Sequence, residues 1–97
     1  MDLRQKLILS ATRAMLGAVT PNLRGVTFGY DSDSLILRAY FDPGATEDDK
    51  ELVDVALTEM ISDFPDEFST CKYEAVDLAF PAKMQMLKEW VFLRSEG

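Results

Sequence analysis

The sequence predicts an α+β fold in two layers, ordered helix-strand-strand-helix-strand-strand, with an antiparallel-dominated sheet and both helices on one face. Three observations carry this. Two long stretches repeat apolar residues at helical spacing, four shorter ones alternate, and no repeat, low-complexity tract or interdomain linker interrupts them. The 97 residues suit a single globular domain, 1–97, with one modest core.

Leu3, Leu7, Ile8, Ala11, Met15 and Val19 recur at the 3.6-residue period, with Arg4, Lys6 and Arg13 among the polar positions, and predict an amphipathic helix over about residues 2–17. Gly17 and Pro21-Asn22 suit its end. Leu23–Tyr30 alternates, placing Arg24, Val26, Phe28 and Tyr30 on one face and Leu23, Gly25, Thr27 and Gly29 on the other. Asp31-Ser32-Asp33 is turn material, and Ser34–Phe41 directs Leu35, Leu37, Ala39 and Phe41 to one side, so the two runs form a hairpin. Gly25 and Gly29 mark close packing by a helix, or a bulge.

Thr46 followed by Glu47, Asp48 and Asp49 is a helix start: Thr46 caps, Asp49 holds the capping-box position, and three acids meet the positive end of the dipole. Val53, Leu57, Met60, Ile61 and Phe64 form its core stripe, widened by Leu52 and Ala56, while Glu47, Glu51, Asp54 and Thr58 face outward. Phe64-Pro65 ends the helix. Residues 70–80, with Val76, Leu78 and Phe80 in alternation, predict a third strand. Residues 81–88 are a connection and 89–94 a fourth strand carrying Trp90 and Phe92.

The charge is sorted by position. Residues 42–67 hold ten acids against the single base Lys50, a formal −9 in a chain whose total is −7, so the remainder sums to +2. Clustered lysine and arginine, which phosphate contacts need, are missing, so nucleic acid and anionic membranes are poor partners and basic proteins good ones. Glu47, Asp48 and Asp49 are explained by the helix start. Asp63, Asp66 and Glu67 are not: they follow the helix, at the negative end of its dipole, where an acid costs a few tenths of a kcal/mol. With Glu51, Asp54 and Glu59 they form the candidate partner-binding set. The competing reading is a solvated face that merely keeps the chain soluble.

Chemistry finds little support. There is no histidine, hence no imidazole base and no Ser-His or Cys-His pair, and with one cysteine no ordinary zinc site. Asp31, Asp33 and Asp42 have loose calcium-loop spacing, but Ile36 stands where the loop needs glycine and no glutamate closes it. Paired carboxylates acting as acid and base need a cleft that no spacing here specifies. Cys71 reads as a strand residue, and the methionines as packing, with a Met-rich adaptable surface as the weaker alternative. Tyr73 and Trp90 read as half-buried sheet aromatics, with interface anchors as the alternative. The expectation is a non-enzymatic protein without cofactor or metal. The apolar run near the N-terminus is broken by Ser10, Thr12 and Arg13, too short for a signal peptide, and no run could span a bilayer, so the expected location is cytoplasmic.

Several stretches are familiar in combination. Ala14-Met15-Leu16-Gly17-Ala18-Val19-Thr20-Pro21-Asn22-Leu23-Arg24 closes the first helix and opens a strand. Tyr40-Phe41-Asp42 precedes Glu47-Asp48-Asp49, Thr58-Glu59-Met60-Ile61-Ser62-Asp63-Phe64-Pro65 closes the second helix, and Glu89-Trp90-Val91-Phe92-Leu93-Arg94 lies near the end. In that order they resemble small bacterial immunity proteins of polymorphic-toxin or contact-dependent growth inhibition systems, over nearly the whole chain. The resemblance implies tight binding to one cognate toxin domain, commonly a nuclease. It transfers no individual residue as a contact. An acidic face that blocks a basic nuclease is compatible with the charge pattern. The rival expectation is a self-associating structural or regulatory domain, a homodimer paired through an edge strand, Leu23–Tyr30 or residues 89–94.

Overall fold

The computed structural model describes residues 2–96 and contains α1 (Leu3–Ala14), β1 (Leu23–Tyr30), β2 (Ser34–Phe41), α2 (Glu47–Ser62), β3 (Thr70–Asp77) and β4 (Glu89–Leu93). Both helices begin with reciprocal caps. The Asp2 side chain accepts from the Gln5 backbone N–H at 2.8 Å. At α2, Thr46 Oγ1 accepts from the Asp49 N–H at 3.1 Å while Asp49 Oδ2 accepts from the Thr46 N–H at 3.0 Å, the capping box expected from the sequence. The first helix is shorter than its apolar spacing predicts. Met15 caps it and Gly17, at φ 84, takes the left-handed conformation that turns the chain, leaving Val19 half-exposed beyond the helix.

β1 and β2 pair antiparallel as a hairpin. Asp31 closes the turn: one carboxylate oxygen accepts the backbone N–H groups of Asp33 and Ser34, both at 2.8 Å, and these bonds hold its carboxyl below the usual range. Its charge thus has a local structural use.

The sheet is mixed, which corrects the antiparallel-dominated expectation in one pairing. Its order is β3-β2-β1-β4, and β2 pairs with β3 in parallel. The 16-residue α2 is the cause: it carries the chain back along the sheet, so the next strand starts from the same end as β2. A second correction follows from the order. Leu23–Tyr30 is an interior strand, flanked on both sides, and the edges are β3 and β4. Self-association through β1 is therefore blocked.

The core lies between the sheet and both helices. Leu7, Ala11 and Met15 of α1 and its cap meet Val53, Leu57 and Met60 of α2 over Val26, Phe28, Leu35, Leu37 and Phe41. A bulge reverses part of the predicted facing in β1. Leu23 pairs with Phe41 and Gly25 with Tyr40, so the extra residue, Arg24, turns to the opposite face and Leu23 joins Val26 and Phe28 in the core.

That opposite face is covered as well. Residues 78–88, which lack regular structure, cross it from β3 at one edge to β4 at the other. An irregular segment needs partners for its backbone, and side chains on this face supply them. Arg24 donates to the carbonyls of Leu78 (2.6 Å) and Ala82 (2.9 Å). Thr27 donates to the Glu89 carbonyl at 2.7 Å and accepts from the Leu87 N–H at 3.0 Å. The Tyr40 hydroxyl donates to the Gln85 carbonyl at 2.9 Å. The glycines mark this crossing, not a helix: a Cβ on Gly25 would lie 3.0 Å from the Trp90 ring and 3.1 Å from the Met84 sulfur, and one on Gly29 3.3 Å from Leu87. The third strand accordingly ends at Asp77, before Leu78 and Phe80.

Candidate functional site

Two groups of acidic residues stand apart by what their carboxylates touch; Asp2, Asp31, Asp33, Glu47 and Asp48, without an ion pair among the described residues, belong to neither. The first group is engaged by side chains inside the molecule. Asp42 takes Arg94 in a two-pronged pair at 2.7 and 3.1 Å, Glu74 pairs with Arg38, Asp77 with Lys50, and Glu89 with Arg4. Asp49 accepts from the Asn22 side chain at 2.9 Å as well as from its cap, and these bonds, Asn22 first, hold its carboxyl below the ordinary range. Lys50, the lone base of the acidic segment, pairs with Asp77 on β3.

The second group contains the six residues singled out in the sequence. Glu51, Asp54 and Glu59 are exposed on α2, Asp63 caps its C-terminus, and Asp66 and Glu67 lie exposed in the following turn. None forms an ion pair among the described residues. Among the described residues, only Asp63 of these six has a side-chain hydrogen-bond partner, the Ser10 hydroxyl, which donates at 2.5 Å across the two helices. Asp63 therefore fastens α1 to α2 as well as carrying charge.

These six do not share one face. At about 100° per residue, Glu59 sits roughly 140° around α2 from Asp54. Glu59 and Asp63 border a hollow with Ser10, Arg13 and Ala14 of α1. Asp54 is on the other flank, toward β3. There its charge adds to burial, the larger cause, in pushing the Tyr73 hydroxyl up to about 12, and that hydroxyl has no hydrogen-bond partner. Glu51 lies between the flanks.

Sequence reasoning missed two features. Leu52, assigned to the core stripe, is 46% exposed, and Val55 is 53% exposed beside it; the helical angle of Leu52, about 100° from Val53 in the direction away from Leu57, carries the signal. The second is a buried charge network behind the sheet. Arg24 is only 2% exposed, and its guanidinium grips both carboxylate oxygens of Glu96 at 2.7 and 2.9 Å. Arg94 donates to the same carboxylate at 2.8 Å, linking it to Asp42. The network forms one wall of a hollow of about 950 Å³ that also exposes Met84, Met86, Trp90 and Leu93. Nothing local announces it, because its partners are 72 residues apart.

The hydrogen bonds from Arg24, and then from Arg94, hold the Glu96 carboxyl down to about 2 from its ordinary 4.5, against the opposing effect of burial. A depressed carboxyl contributes stability that is fully present above about pH 4.5 and is lost as the pH falls through about 2. The melting temperature of Glu96→Gln should therefore lie below that of the parent chain near neutral pH, and the gap should close across that acid window. A gap independent of pH contradicts the pairing.

The sequence matches the family model described as MafI2 immunity protein over residues 4–96, a span that takes in β1 to β4, α2 and all of α1 but its first residue. The chain belongs to the MafI2 immunity protein family. A search of curated proteins returns no match. MafI2 membership supports an immunity role, with a toxin protein as partner, and suggests a non-catalytic inhibitor. It assigns no contact residues. No helix among the described residues is long and apolar enough to cross a membrane.

Proposed function

We propose that this MafI2 immunity protein acts in the cytoplasm, binding a basic toxin domain with nuclease activity through Glu51, Asp54, Glu59, Asp63, Asp66 and Glu67. One observation carries the reading: these six have no ion pair among the described residues and no local use beyond the tie of Asp63 to Ser10. By contrast, Asp42, Glu74, Asp77, Glu89 and Glu96 are neutralised by arginine or lysine, Asp2, Asp31 and Asp49 close caps or a turn, and Glu47 and Asp48 meet the positive end of the α2 dipole. Unpaired surface carboxylates raise the encounter rate with a positively charged partner. A nuclease must present lysine and arginine to phosphate, so an acidic protein seated there excludes the nucleic acid by occupying the same charges. The protein makes and breaks no bonds in this scheme and uses no cofactor.

The test uses the toxin domain encoded beside the gene for this chain. Co-expression is expected to rescue growth, and an equimolar amount of purified protein to stop cleavage of RNA or DNA. Continued killing at excess protein contradicts the inhibitor role. A toxin that is neutralised but attacks something other than nucleic acid contradicts the nuclease assignment alone.

A further inference from the structure

Of the large apolar residues exposed on the helical layer, Leu52 and Val55 lie among the acids of α2, Leu16 and Val19 on the segment that follows α1, and Leu9 apart on α1 itself. Two hydrogen bonds bracket the antiparallel run of α1 and its following turn against α2: Ser10 to Asp63 at one end and Asn22 to Asp49 at the other. Between these ties lie Leu16 (79% exposed) and Val19 (47%) on one side and Leu52 (46%) and Val55 (53%) on the other. At about 100° per residue, Asp48, Leu52, Val55 and Glu59 fall within roughly 60° of one another on α2. Glu51 and Asp63 flank that arc, and Asp54 lies outside it.

An exposed aliphatic side chain by itself is ordinary. Two on one arc of α2, with two more on the segment tied alongside it, bordered by carboxylates without an ion pair among the described residues, have the layout of an interface: an apolar centre that can be dried, inside a charged rim. We propose that Leu52 and Val55, with Leu16 and Val19 beside them, form the centre of the toxin-binding surface. The partner that fits is a toxin face presenting apolar side chains within a ring of lysine and arginine. This rests on the inhibitor reading above and assigns its affinity to the apolar centre. Glu51, Glu59 and Asp63 at its border act on encounter, and Asp54 adds its charge from the β3 flank.

The probe is the catalytically inactivated toxin domain, titrated by surface plasmon resonance. Leu52→Ala/Val55→Ala is expected to weaken binding by about 100-fold, chiefly through faster dissociation. Its melting temperature should stay near that of the parent, because both side chains are half in solvent already. Leu52→Met, apolar and of similar volume, should retain affinity. Phe80→Ala/Met86→Ala, which trims exposed apolar residues on the far side of the sheet, should bind as the parent does. Unchanged binding by the Leu52/Val55 variant, or loss confined to the Phe80/Met86 variant, overturns the placement while leaving the inhibitor role intact. Failure of the parent chain itself to bind overturns both.

Discussion

Replacing Arg24 with methionine is expected to destabilise the chain by about 3 kcal/mol, because it removes a buried guanidinium that donates four hydrogen bonds, two of them to backbone carbonyls. Methionine fills much of the volume but supplies no donors. The carbonyls of Leu78 and Ala82 lose their partner, and Glu96 keeps only Arg94. In a chain of this length the melting temperature should fall by about 12 °C or more. Trp90 is the sole tryptophan and borders the same hollow, so its emission should shift to the red as the crossing segment loosens. A loss below about 1 kcal/mol would mean that the Thr27 and Tyr40 hydrogen bonds hold residues 78–88 without Arg24.

The second large effect is kinetic. Changing Asp63, Asp66 and Glu67 together to the corresponding amides should slow association with the toxin domain about tenfold at low salt. The dependence of the rate on ionic strength should flatten, because these groups act at long range and are screened at about 8–10 Å in ordinary buffers. Dissociation should change far less, in contrast to the Leu52/Val55 variant. The side-chain amide that Asp63→Asn introduces can still accept from the Ser10 hydroxyl through its carbonyl oxygen, so the tie between the helices survives. Stopped-flow mixing across a salt series separates the two contributions, and unchanged association rates would exclude this group from the encounter surface.

Local pattern disclosed the parts of the fold that local physics makes. The caps at Thr46 and Asp49, the turn at Asp31 and the core stripe Val53-Leu57-Met60 each depend on residues within a few positions of one another. Strand order does not. The sequence leaves Leu23–Tyr30 a candidate edge strand. In the structure Leu23 to Phe28 are all buried, since the crossing segment covers the second face and β4 closes the open side. A bulge at one residue was enough to exchange Leu23 and Arg24 between faces, because side chains alternate with every residue.

The candidate site divides along the same line. Charge sums and helix position, both properties of the chain in order, single out six carboxylates as more acid than the helix needs; among the described residues these six form no ion pair, a property they share with Asp2, Asp31, Asp33, Glu47, Asp48 and Asp49. Their separation onto two flanks of α2, the grouping of Leu52 and Val55 with Leu16 and Val19, and the Arg24–Glu96 pair came from the folded arrangement alone. The sequence by itself determined the helices, the strands, the hairpin and the excess of negative charge, because periodicity, capping and composition act over short distances. Tertiary structure decided which acids are neutralised and which apolar residues are left uncovered, because both depend on contacts between segments that only packing brings together.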